Sequence, residues 1–337
     1  MIATSKYLAY RTDADAAVIC LDEMLAREDK FIESVAMKLG VDPPPGPIDF
    51  VWDPVKDSSD PWVCPATDCY KHDNEGDLSL VVSDTLIQHH ELVHVVDIQG
   101  LGHGDRGHLT LSEGLADYLG TLSVDSPRDD FSDKFRTMLA TILKPIDYDL
   151  AMHFVGSIFE QHGAEKYRAF RDALPSDAGL DQFAAVFADI YGHSLDDALD
   201  AMNGEKFYGI DDFPGCDGKA PAIAWTAEGL LDTEIKSSCG DPWFFGGGFS
   251  DGIAGFYGYY AVDVPQPGNY ELTVRGLEDG PAPLLAGVRG RTIDKGAVAS
   301  LKGETGTGLL QGGQYILVIA FPPRSEAMVR FKYLGPP

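Results

Sequence analysis

The sequence predicts an α+β chain in two parts, a mixed sheet with a helical lobe over residues 1–210 and an all-β sandwich over 211–337. Three observations carry that expectation. Short strand patterns bracket one helix before Asp84. From Thr85 to about residue 203, apolar residues recur at helical spacing. After Met202-Asn203-Gly204, glycine and proline become frequent and short strands alternate with turn residues, as in a sandwich.

The segment Thr4–Thr12 reads as a first strand, and residues 14–39 have helical spacing that stops at Gly40. Asp42-Pro43-Pro44-Pro45-Gly46-Pro47 breaks the chain, and Ile48–Trp52 is a second strand. Leu78–Val82 is a third, with Ser83 or Asp84 available to cap the helix that follows. Helices are expected near 85–98, 111–121, 133–143, 148–161, 164–173, 180–190 and 195–202. Beyond a boundary at 207–215, strands are expected at Gly255–Val262, Asn269–Val274 and Gln314–Ile319. Tyr270 and Tyr315 follow turn residues and are expected in the core, as are Trp243, Phe244 and Phe245.

Composition narrows the partners. Lys and Arg total 26 against 53 Asp and Glu, a formal charge of −27. Such a surface repels phosphate backbones and anionic lipid, so neither nucleic acid nor a membrane is an expected partner. No apolar run is long enough to cross a bilayer. The opening MIATSKYLAY has no basic start and no long apolar stretch, so an exported protein would have lost its leader from this sequence. The five cysteines favour an oxidising compartment: Cys20 with Cys64 or Cys69, and Cys216 with Cys239, are the expected disulfides. A structural zinc on Cys64, Cys69 and His72 is the alternative, and it lacks an evident fourth ligand.

The chemistry is concentrated in His89-His90-Glu91-Leu92-Val93-His94. His90 and His94 stand four apart, so on a helix both imidazoles project from one face and reach one metal ion. Glu91 lies beside them, placed to act on a water without being a ligand. Nineteen residues beyond His94, Glu113 opens a second helix as the third ligand, which leaves a fourth position for water. Asp117 follows four residues later on the same face, where it can hold the second nitrogen of a ligand histidine. Thr110-x-x-Glu113 is also a capping-box pattern, and the two roles compete for one carboxylate. His103 and His108, in the glycine-rich connection, are expected as solvated loop residues.

His90-Glu91-Leu92-Val93-His94 followed by Ser112-Glu113-Gly114-Leu115-Ala116-Asp117-Tyr118 resembles the gluzincin metallopeptidases, whose second helix carries a Glu ligand and an Asp four residues on. The resemblance covers roughly residues 78–203. It implies a zincin-like fold, a Zn²⁺ cofactor and peptide or protein substrates for a secreted or periplasmic endopeptidase. Tyr148-Asp149-Leu150-Ala151, leading through Phe154 and Phe159 to Gly163, resembles the helix that begins with the transition-state tyrosine in the aminopeptidase-like branch. Tyr148 is thereby implied as oxyanion donor, with His153 the substitute. Two departures count: no Gly-x-Met-Glu-Asn segment is present to bind a free amino terminus, and Gly100 stands where metzincins carry a third histidine. The C-terminal part resembles, more weakly, β-sandwich domains appended to secreted bacterial peptidases.

The expected reaction is hydrolysis by a water that the metal activates, with Glu91 as base and Leu78–Val82 as the sheet edge that pairs with extended substrate. The rival expectation is a binding or inhibitory protein that keeps the zincin fold without turnover. It would show as a lost ligand or a lost base, and neither is lost.

Overall fold

The computed structural model describes residues 2–12, 21–52, 68–72, 79–83, 87–100, 107–120, 124–125, 128–141, 146–205, 207–208, 221–226, 230–236, 244–248, 254–275, 284–289, 292–300, 305–310, 312–321 and 326–336. It is an α+β chain. The first sheet takes β1 (Ile2–Thr4), β2 (Leu8–Arg11), β3 (Ile48–Trp52), β4 (Asp68–His72) and β5 (Ser79–Ser83) in the order β1-β2-β3-β5-β4. β2, β3 and β5 are parallel, and both outer strands run antiparallel to their neighbours.

Two expectations are corrected here. Thr4–Thr12 is not one strand but parts of β1 and β2, which pair antiparallel about Ser5-Lys6-Tyr7. The helix α1 (Leu21–Leu39) causes the turn: Asp29 accepts from Ser5 Oγ at 2.7 Å, Lys6 N at 3.0 Å and Tyr7 N at 2.9 Å, so these groups need no strand partner. The segment near Leu78–Val82 is not an edge. As β5 it lies between β3 and β4, and among the described residues the edge is β4. The sequence fits that placement. Leu80-Val81-Val82 is a continuous apolar run of the kind covered on both faces, whereas Asp68-Cys69-Tyr70-Lys71-His72 is polar, as edges are.

The helices follow as expected, with ends shifted by a few residues. They are α2 (His89–Gly100), α3 (Leu109–Gly120), α4 (Phe131–Ala140), α5 (Tyr148–Ala173), α6 (Leu180–Tyr191) and α7 (Leu195–Ala201). The two helices expected over 148–173 meet at Gly163, whose φ of 79° and ψ of 170° break α5 into two arms. Asp147 caps the first arm by accepting from Leu150 N at 3.1 Å, which sets Tyr148 as its first residue. Ser194 caps α7 through Asp197 N. Phe135, Phe154, Phe170, Phe183 and Phe187, all fully buried, interlock α4, α5 and α6. Arg171 on the second arm of α5 pairs with Asp97 of α2 at 3.0 Å, both buried. A short pair, β6 (Val124–Asp125) with β7 (Phe207–Tyr208), brings Phe207 onto the lobe, stacked on His153 at 5.1 Å.

From β7 onward the described residues form strands without helices. They are β8 (Ala222–Ile223), β9 (Leu230–Lys236), β10 (Phe244–Gly248), β11 (Ala254–Val264), β12 (Gly268–Arg275), β13 (Leu284–Arg289), β14 (Thr292–Ser300), β15 (Thr305–Leu310), β16 (Gly313–Phe321) and β17 (Glu326–Gly335). One sheet orders β10-β11-β16-β13-β14 with β8 beside β11; the other orders β15-β12-β17-β9. Tyr270 and Tyr315 are buried, as expected. Trp225, just past β8, packs its ring against Tyr270 and Phe331 of the second sheet. Trp243 lies outside the described residues, as do Cys20, Cys64, Cys216, Cys239 and His103; of Cys69, His72, Phe244 and Phe245 only the backbone is described. The disulfide expectations and the alternative cysteine zinc site therefore fall outside the described residues. Among the described residues no helix is long and apolar enough to cross a membrane.

Candidate metal centre

Two helices build the centre. α2 and α3 lie antiparallel in one register: His94 meets Ser112 and Glu113, His90 meets Glu113 and Asp117, and Gly120 meets the His89–His90 peptide. Glycine is what lets the backbones come so close. A Cβ at Gly120 would stand 2.7 Å from His90 N and 2.8 Å from His89 C. On its other side α3 meets α5, where a Cβ at Gly114 would run into the Ala151 carbonyl. Tyr148 lies one turn before Ala151, which brings the start of α5 to the metal face.

His90 Nε2, His94 Nε2 and Glu113 Oε2 converge. Their separations are 3.1 Å between the two nitrogens, 3.0 Å from His90 to Glu113 and 3.3 Å from His94 to Glu113. Tetrahedral zinc ligands at ~2.1 Å stand about 3.4 Å from one another, so this triangle is nearly the face of such a site. The tautomers agree with that geometry. His90 Nδ1 donates to Asp117 Oδ1 at 2.7 Å, and a carboxylate can only accept, so in the neutral ring Nε2 carries a lone pair. His94 Nδ1 lies 3.3 Å from the Ser112 hydroxyl, which can accept its proton in the same way. With both rings neutral, three electron-rich atoms face one another, and a cation, either a proton or a metal ion, relieves that repulsion. The donor set fits a metal ion, and these three residues form a group able to hold one.

All six expected site residues come together. His90 is partly covered, and His94, Glu91, Glu113 and Asp117 are buried. The ring of Tyr148 lies 6.0 Å from that of His90 and is 46% exposed. Thr110 is inside α3 rather than before it, and the Glu113 carboxylate faces the two histidines instead of forming a capping box with Thr110. His108 is corrected. It is buried, donates from Nε2 to Ala178 O at 3.1 Å, and its carbonyl starts α3. His153 is corrected too, as an oxyanion donor: fully buried, its ring lies between Phe131 and Phe207. Sequence reasoning missed Ser112, and the signal was there, a small hydroxyl one residue before the third ligand and eighteen after His94.

The charges are tightly linked. Burial works against a proton on His90, but hydrogen bonds with Asp117 and Glu113 outweigh it and raise the imidazole to about 10. Burial would raise Glu113, yet its contacts with His90 and His94 hold it well below the carboxylate range. In the metal-free protein the folded pKa of His90 thus exceeds its unfolded value of ~6.5. The stability this proton contributes is complete below pH ~6.5 and is lost as pH rises through about 10. A metal takes the proton's place, so metal affinity is expected to rise with pH, by up to about tenfold per unit for one displaced proton. Competition with a chromogenic chelator between pH ~7 and ~9, corrected for the chelator's own protons, measures this. A flat profile would disconnect His90 from metal binding.

No family model matches the chain, and no curated protein matches it. Among solved structures, the native structure of a family 35 carbohydrate binding module from Clostridium thermocellum is 17% identical, covering 32% of this chain and 95% of that chain, with a TM-score of 0.18. At that score the likeness carries no argument about fold or ligand.

Proposed function

We propose that this protein is a zinc-dependent endopeptidase of the gluzincin kind, with a zincin-like unit over residues 1–210 and an appended β-sandwich. The observation that carries this reading is the convergence of His90, His94 and Glu113, with Glu91 buried beside them and Tyr148 exposed over one side. The sheet supports it, because β4 is an antiparallel edge strand that extended peptide can pair with, a role first expected of Leu78–Val82. The acidic surface supports a peptide or protein substrate over nucleic acid or lipid. Export to an oxidising compartment is part of the proposal and rests on the cysteine count.

His90, His94 and Glu113 would hold the ion, with Asp117 and Ser112 orienting the two rings. Zinc in that position supplies Lewis acidity toward the scissile carbonyl and brings a water's pKa toward ~7. Glu91 takes a proton from the attacking water and delivers it to the leaving nitrogen as the C–N bond breaks. The Tyr148 hydroxyl donates to the oxygen on which negative charge develops. Products are one carboxylate and one amine.

Cleavage profiling on unstructured peptides, with and without chelator, tests the reading. Cleavage that stops with chelator and returns with added zinc is expected; a zinc-loaded protein that cleaves nothing would leave a binding protein. Tyr148→Phe is expected to lower kcat by about tenfold or more, with KM changed much less, since a donor aimed at a developing oxyanion acts mainly in the transition state. Zinc content and Tm should hold, because the ring is exposed and its packing is retained. Turnover equal to the parent would remove Tyr148 from the reaction, and the buried His153 cannot replace it.

A further inference from the structure

The buried stripe of α1 runs through Leu21, Met24, Leu25, Ile32, Val35 and Leu39 at helical spacing, and it carries one charged side chain, Glu28, only 2% exposed. A carboxylate so placed is costly unless a partner compensates it. Its Oε2 lies 2.8 Å from Nε2 of His89, the first residue of α2. The His89 ring also stacks on Phe31, with centroids 4.0 Å apart and planes 17° apart. The same stretch of backbone also packs against Gly120 of α3, where a Cβ would lie 2.7 Å from His90 N and 2.9 Å from His89 O. The point where α2 begins is therefore held against both α1 and α3.

We infer that Glu28 is a positioning residue of the metal centre: through His89 it seats the first turn of α2 against Gly120, and so fixes the backbone from which His90 reaches the metal. The inference rests on the metal-centre reading above. The need is physical. First-turn residues of a helix have N–H groups without intrahelical partners and fray unless held from outside. A ligand placed there must still meet a metal within roughly ±0.2 Å. Asp117 orients the ring of His90, whereas Glu28 acts one residue earlier, on the chain that carries it.

The experiment follows zinc release from the full chain to a chelator, beside kcat, KM and Tm, for the parent, Glu28→Ala, Glu28→Gln and Gly120→Ala. Glu28→Ala is expected to release zinc about tenfold faster and to lower kcat with little change in KM, the low end for outer partners of metal ligands. Glu28→Gln keeps an oxygen that accepts from His89 and should recover most of the loss. Gly120→Ala should speed release from the α3 side. If Glu28→Ala does not fold, His89→Phe, which keeps a ring against Phe31 but removes the donor to Glu28, should release zinc faster than the parent. Folded variants that release zinc and turn over like the parent, even with a lower Tm, would make Glu28 a structural residue only and overturn the inference. A parent that holds no zinc would instead overturn the metal-centre reading, and the inference with it.

Discussion

Glu91→Gln is expected to keep the fold and the metal while losing about 10²–10⁴-fold of hydrolysis, the usual worth of a positioned general base. Glutamine matches glutamate in shape, so the buried position on α2 between His90 and His94 stays filled. What it lacks is a site that can take a proton near neutral pH and return it. The charge of Glu91 also helps hold a proton on His90, so its removal eases the competition between proton and metal. Zinc binding should therefore survive. The measurement is kcat/KM on a cleaved peptide, with zinc content and Tm recorded on the same sample. Turnover near that of the parent would exclude Glu91 as the base.

Glu113→Ala is expected to weaken zinc binding by more than the roughly 10–100-fold that an outer partner such as Asp117 is worth, and to abolish activity with it. The variant leaves two imidazoles where three donors met, and α3 loses its hold on the metal face. His90 would keep its bond to Asp117, and His94 its contact with Ser112, so both rings should stay in place. The loss is then one of ligation rather than of fold. Glu113→Gln, which keeps the volume and removes the charge, separates ligand geometry from electrostatics. Metal analysis after dialysis, with chelator competition, reads both. Unchanged affinity in Glu113→Ala would mean that the carboxylate merely lies beside the histidines.

Each prediction depends on a different atom, which makes failures informative. Loss of zinc in Glu113→Ala with full activity in Glu91→Gln would point to a metal site without this mechanism. Activity lost in Glu91→Gln but kept in Tyr148→Phe would leave the oxyanion to the metal alone.

The convergence of His90, His94 and Glu113 was largely legible in the sequence because its signals are local. Residues four apart on a helix share a face whatever the rest of the chain does, so His90 with His94 and Glu113 with Asp117 could be paired before any fold was known. Helix positions were legible for the same reason, and Gly163 marked a real break. Strand patterns told which segments extend, but not beside what. A strand's neighbours are chosen by distant chain segments, so only the structure showed that β5 is internal and β4 is the edge. The same holds for side chains whose role depends on a distant partner. His153 and His108 looked like polar groups available for chemistry or solvent, and packing buried both. Glu28 gave no hint of its place, since its partner His89 is 61 residues away. The sequence by itself determined which residues can share a helix face and hence the composition of the group able to hold a metal ion. The tertiary structure decided the rest, because the antiparallel approach of α2 and α3, with Gly120 too small to keep them apart, is what brings three donor atoms within 3.3 Å of one another.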